Sequence, residues 1–148
     1  MSTTEALADI HKTITVALPV EDAFETFTRG IGSWWPRASH TVFEDRLEEI
    51  VFEEHAGGRV YERSTDGEEA DWADVLAWEP PSRFVLRWRV NPERATTEVE
   101  VRFAPEGDGT QVELEHRGWN ATDDPQGRAG YQKGWDYVLG QFIGGISS

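Results

Sequence analysis

The apolar residues of this chain change their period once, near the C-terminus, and that change limits the folds open to it. Between Leu47 and Arg117 the period is two. Phe84, Leu86 and Trp88 alternate with Val85, Arg87 and Arg89; Val99, Val101 and Phe103 alternate with Glu98, Glu100 and Arg102. Val112, Leu114 and His116 continue the pattern against Glu113 and Glu115. Later, the large apolar residues fall at Tyr131, Trp135, Val138, Leu139, Phe142 and Ile146, one stripe on a helix of 3.6 residues per turn. Strands that are greasy on one side need that side covered, and a helix with one aromatic stripe needs somewhere to bury it. The economical solution is an α+β domain in which one curved antiparallel β-sheet wraps around a long C-terminal α-helix. A cavity between the two is expected to hold the function.

The remaining segments fit that plan. His11–Leu18 reads as a first strand, with Ile14, Val16 and Leu18 on one face. Pro19 suits a helix start, where its missing N–H costs nothing. Val20, Ala23, Phe24 and Phe27 give a helical stripe running to about Thr28, and Gly30–Pro36 a second short helical turn. Arg37–Asp45 reads as polar loop. Strands are predicted over Leu47–Glu54, Arg59–Ser64, Asp71–Glu79, Arg83–Val90, Thr96–Ala104 and Thr110–Arg117, with turn residues between them. Asp123–Asp124–Pro125 signals the start of the last helix, and Gly144–Gly145 its end, giving a helix over about Pro125–Ile143. Residues 1–10 read as a flexible leader and 11–148 as a single domain. Inside the last helix Gly134 sits beside the aromatic stripe. A helical glycine costs about 1 kcal/mol against alanine, so Gly134 predicts either a close approach to the sheet or room for a ligand.

Composition narrows the partners. The chain has 28 acidic against 14 basic residues, a net charge of −14, which repels nucleic acid and anionic lipid alike. With no cysteine there is no disulfide framework, thiolate metal site or cysteine nucleophile. Neither a secretory signal nor a run of about 18 apolar residues is seen, so cytoplasm is the expected location, with no membrane partner. Seven tryptophans in 148 residues imply either a core of large rings or a lined cavity.

Catalytic signals are weak. There is no nucleophile elbow, phosphate loop, zinc helix or calcium loop, and no cofactor or metal is expected. His11, His40 and His55 read as exposed; His116 shares the inward parity of Val112 and Leu114. It is either a satisfied core histidine or the polar group that orients a ligand. Glu62 and Asp74 lie in strands whose facing the pattern leaves open; if both face inward they form an acid/base pair. Trp34–Trp35–Pro36 places two tryptophans on one turn, where one is expected under the end of the sheet and the other at the cavity mouth, or both as packing anchors.

Several segments, in order, resemble the START-like (SRPBCC) superfamily, and within it the activator of heat-shock-protein-90 ATPase homologue (AHSA1-like) family. They are Val20–Phe24 after Pro19, Trp34–Trp35–Pro36, Gly57–Gly58–Arg59–Val60–Tyr61–Glu62, Val75–Pro81 with Phe84–Trp88, Val112–His116, and Gly134–Trp135 with Leu139 and Phe142. The resemblance implies the helix-grip fold and a deep hydrophobic pocket between sheet and last helix. It implies no single activity, because that superfamily holds lipid carriers, receptors, polyketide cyclases and a co-chaperone. The additional ATPase-stimulating domain of the eukaryotic co-chaperone has no counterpart in these 148 residues.

The first expectation is binding of a small, largely hydrophobic, aromatic or polyketide-like ligand. Trp88, Phe103, His116, Tyr131, Gly134, Trp135 and Leu139 would line its cavity, Phe27 and Trp35 would close one end, and Val60 and Glu62 would form another wall. The alternatives are a cyclase or hydrolase using His116 with Glu62 or Asp74, and a co-chaperone-like module that binds a protein through exposed tryptophans.

Overall fold

The computed structural model describes residues 10–36, 41–89, 97–118 and 125–147, the side chains of 125–130, 132 and 145–147 excepted. Strand β1 (Ile10–Val16) is followed by two helices, α1 (Val20–Thr28) and α2 (Ile31–Trp34). Six strands come next: β2 (Leu47–Phe52), β3 (Arg59–Ser64), β4 (Glu69–Glu79), β5 (Arg83–Trp88), β6 (Thr97–Glu106) and β7 (Gly109–Arg117). Helix α3 (Pro125–Ser147) closes the order. The strands make one antiparallel sheet, ordered β1-β7-β6-β5-β4-β3-β2. Each strand from β2 to β7 pairs with the next in sequence, so the middle of the chain is a meander. β1 closes the far edge on β7, with Ile10 opposite His116 and Val16 opposite Thr110.

Alternation decides which side of the sheet is buried. Val99, Val101 and Phe103 on β6, and Val112, Leu114 and His116 on β7, face the core, while Glu98, Arg102, Glu113 and Glu115 face out. α3 presents Trp135, Val138, Leu139 and Phe142 to the concave face, all buried, with Tyr131 and Ile143 packed against the same core. The closest neighbours of its backbone are β1 and α2. Large rings fill the space between α3 and the middle strands: Phe27 and Trp34 lie against Phe142, with ring centroids 5.0 and 4.9 Å away.

The outer face is held by charge. Arg89 meets Asp74 through two hydrogen bonds of 2.9 Å and Asp71 at 3.0 Å. Glu100 lies between Arg83 and Arg117, at 2.9 and 2.7 Å. Burial tends to raise the pKa of Glu100, but hydrogen bonds from Arg117 and Arg83 outweigh it and bring the pKa down to about 2.

Two expectations change here, and the adjacent tryptophans take the second of their two readings, both being packing anchors. The last helix does not stop at Gly144–Gly145 but runs to Ser147; two glycines weaken a helix without supplying a left-handed cap. The expected loop before β2 ends in a single 3-10 turn over Glu44–Arg46. The two adjacent tryptophans both enter the core. Trp34 closes α2 and packs on Phe27 and Phe142. Trp35 already has extended backbone (φ −63°, ψ 137°), which swings its ring onto Trp72 at 4.9 Å. The expected leader lies outside the described residues up to residue 9, and Ile10 already belongs to β1. Val90, Thr96, His40, Asp123 and Asp124 also lie outside them.

Candidate functional site

Between the concave sheet and α3 the rings do not close completely. They leave an apolar void of about 20 Å³. Phe27 of α1, with Ile31 and Trp35 at α2, closes one end. Phe52, Val60 and Trp72 of β2 to β4 form a second wall. Phe84, Leu86 and Trp88 of β5, with Val99 and Val101 of β6, form the floor, and Trp135 of α3 is the roof. A space of this size holds at most one water, and with no polar lining it stays dry. Sheet, α2 and α3 meet at this point.

Beside the void stands a polar cluster centred on His116, which is fully buried. The indole N–H of Trp135 donates to its Nδ1 at 3.0 Å. The ring proton therefore sits on Nε2, which donates to Thr97 Oγ1 at 2.6 Å. Burial lowers the His116 pKa to about 3, so the imidazole is neutral at ordinary pH. Tyr131 stands over it, ring centroids 5.1 Å apart, and accepts a 2.8 Å hydrogen bond from the Trp88 indole. Trp88 and Trp135 thus belong to both sets, each with a ring face on the void and an N–H in the polar cluster.

Of the residues expected at the cavity, Phe27, Trp35, Val60, Trp88 and Trp135 line the void. His116 and Tyr131 stand one layer behind it, through Trp88 and Trp135. Phe103 packs instead with Phe24 and Phe27, at 5.1 and 5.7 Å, towards α1. Leu139 is buried in the general core. At Gly134 a Cβ would meet nothing within 4 Å, so this glycine is not needed for close packing on the sheet.

The acid/base pair does not assemble. Asp74 lies on the outer face, where its hydrogen bonds to Arg89 lower its pKa. Glu62 lies inside, fully buried, and accepts from the backbone N–H groups of Val42 and Phe43 and from the Trp72 indole. The two carboxylates sit on opposite faces because a bulge in β4 shifts the register between Val60 and Tyr61. The same bulge lets Trp72 and Ala73 both be buried, so Trp72 joins the void wall although simple alternation does not place it there. Ile31 and Phe52 also escaped the sequence reading, whereas Phe84, Leu86, Val99 and Val101 carried the inward parity that marks them. Among the described residues no tryptophan is exposed, and no group of three metal-ligating side chains occurs.

A curled seven-stranded antiparallel sheet gripping a C-terminal helix, with an apolar void between them, defines a START-like helix-grip domain. The chain belongs to the activator of Hsp90 ATPase homolog 1-like family, whose model matches residues 17–143. Among solved structures, an anthrahydroquino-gamma-pyrone synthase is 39% identical, over 75% of this chain and 77% of that one, with a TM-score of 0.53. The Aha1 dimer from Colwellia psychrerythraea is 16% identical, over 95% and 96% of the two chains, with a TM-score of 0.71. An AHSA1-like protein from Aeromonas hydrophila is 21% identical, over 95% and 92%, with a TM-score of 0.67. These last two share the fold. No curated protein matches the chain.

Proposed function

We propose that this domain binds a small, planar, largely apolar molecule of the fused aromatic or polyketide class between the sheet and α3. The observation that carries the reading is the dry void, lined wholly by apolar side chains and flanked by the hydrogen-bonded His116 cluster. Ligand sites are mostly apolar with a few fixed polar groups, and the void with its His116 cluster has that make-up. At about 20 Å³ the void is a seed rather than a finished pocket. A ligand fills it by displacing Trp35, Trp88 and Trp135 and lifting α3 from the middle strands, a minor state that binding makes dominant. The backbone of α3 lies nearest β1 and α2.

Turnover of the bound molecule is the second reading, favoured by the 39% identity to a synthase. The neutral His116 then acts as a positioning residue, fixing the Trp135 ring by its hydrogen bond and the Tyr131 ring by contact on either side of the substrate. The pairing with Glu62 or Asp74 plays no part in it.

Calorimetry with 1,8-dihydroxyanthraquinone tests the binding. Saturable one-to-one binding is expected, weakened about tenfold or more by Trp135→Ala, which removes a large ring of contact. Absence of binding to the folded wild-type protein sinks the reading. For turnover, mass spectrometry of a linear aromatic polyketide incubated with the protein is the direct assay.

A further inference from the structure

Glu62 is the least expected charge in the molecule. It is fully buried on β3, one inward position from Val60, and three donors converge on it. Oε2 accepts from the Val42 N–H at 2.8 Å and the Trp72 indole at 2.6 Å, and Oε1 accepts from the Phe43 N–H at 2.7 Å. Such short hydrogen bonds to a carboxylate are the strong kind, and burying the group without them is very costly.

The three donors come from two places with different jobs. Trp72 is a wall of the void. Val42 and Phe43 belong to the segment 41–46, a strap that reaches β2 through the 3-10 turn. Further contacts lie at its C-terminal end or within it: Arg46 pairs with Asp66 at 3.3 Å and Glu68 at 3.9 Å, and the Glu44 N–H donates to Thr41 Oγ1 at 3.0 Å. Phe43 is buried under the Arg46 guanidinium, at 5.4 Å, and the Thr65 N–H donates to Arg46 O at 2.8 Å. Within it Glu44 has φ +52°, the left-handed region that a residue other than glycine enters only when held. Val42, two residues before it, is half exposed. A strained, partly exposed strap is therefore joined through one carboxylate to the wall of the void.

We infer that Glu62 is a positioning residue that bolts strap 41–46 to the Trp72 wall, and that release of this bolt is the route by which an apolar molecule reaches the void. The inference rests on the binding reading above for its second half only. Glutamine at 62 keeps the shape but offers one acceptor oxygen, and its amide N–H₂ faces a donor. Val42→Pro removes a strap donor and leaves Glu62, Trp72 and the void as they are.

The test combines exchange with binding kinetics, at a temperature where every variant is folded. In Glu62→Gln the amide N–H₂ takes one of the two acceptor positions, so either the Phe43 amide, or the Val42 amide together with the Trp72 indole N–H, is expected to exchange about tenfold faster or more, the factor for losing a hydrogen bond to a charged group. Amides of β6 and β7 should not change. Association and dissociation of 1,8-dihydroxyanthraquinone, followed by stopped-flow tryptophan fluorescence, should both accelerate, with the Kd nearly constant. Val42→Pro should loosen the strap and speed the probe while leaving Trp72 exchange near wild type, so the inference stays open to test if Glu62→Gln does not fold. Unchanged exchange overturns the bolt. Faster exchange with unchanged probe kinetics overturns the route. A wild-type protein that takes up no probe overturns the binding reading instead, and the exchange data alone then judge the bolt.

Discussion

At the scale of single residues, His116 ties packing to pH. Its pKa is about 3 when folded and near 6.5 in an open chain, because burial penalises the imidazolium. Above pH 6.5 both states are neutral and nothing is gained or lost. As the pH falls below 6.5 the unfolded chain takes up a proton that the folded one refuses, so stability drops by up to about 1.4 kcal/mol per pH unit until the folded pKa is reached. Glu100 adds its own loss only lower, as the pH falls from about 4.5 towards 2. Between pH 6.5 and 5 the slope of stability should therefore be smaller in His116→Gln, which can still accept from Trp135 and donate to Thr97. Chemical denaturation at several pH values measures this, and equal slopes would place the titration elsewhere. Trp135→Ala, which opens a large hole and strips His116 of its donor, should destabilise the domain by about 3–5 kcal/mol.

Secondary-structure elements were readable where one rule governed them. The period-two parity of β6 and β7 put Val99, Val101, Phe103, Val112, Leu114 and His116 inside, as the structure has them. The stripe on α3 likewise gave Trp135, Val138, Leu139 and Phe142. The pattern failed at β4, where bulges at Trp72 and Leu76 make parity slip, and at β3, where Tyr61 is buried on the outer face under the Arg59 guanidinium and so mimics an inward residue. This is why the facing of Glu62 and Asp74 stayed open and why Trp72 was missed. A bulge leaves no mark in a hydrophobic pattern. The glycines give an element-scale prediction of opposite signs. At Gly134 a Cβ meets open space, so Gly134→Ala should stabilise α3 by up to about 1 kcal/mol. At Gly109 a Cβ would run into the Val16 carbonyl where β7 begins beside β1, so Gly109→Ala should destabilise the protein. Thermal melts of the two variants should move in opposite directions; a loss of stability at 134 would mean that α3 meets something there.

For the molecule as a whole, a charged outer face and an aromatic inner one divide the work of the fold. The arginine–carboxylate pairs lie on the outside of the sheet, and the rings of α1, α2 and α3 pack on its concave side around the void. The fold was legible from sequence because it follows from two periodicities. The site was only partly so, since a void arises from what neighbouring rings fail to fill, a property of three-dimensional packing. On the reading proposed above, the void accepts a planar apolar ligand. The most direct measurement is a two-dimensional NMR titration of the indole N–H signals with 1,8-dihydroxyanthraquinone. Trp35, Trp72, Trp88 and Trp135, which line the void, should shift and saturate together. Trp78, on the far side of Phe24 and Phe84, should stay close to its starting position. No saturable shift, or one confined to Trp78, would contradict it.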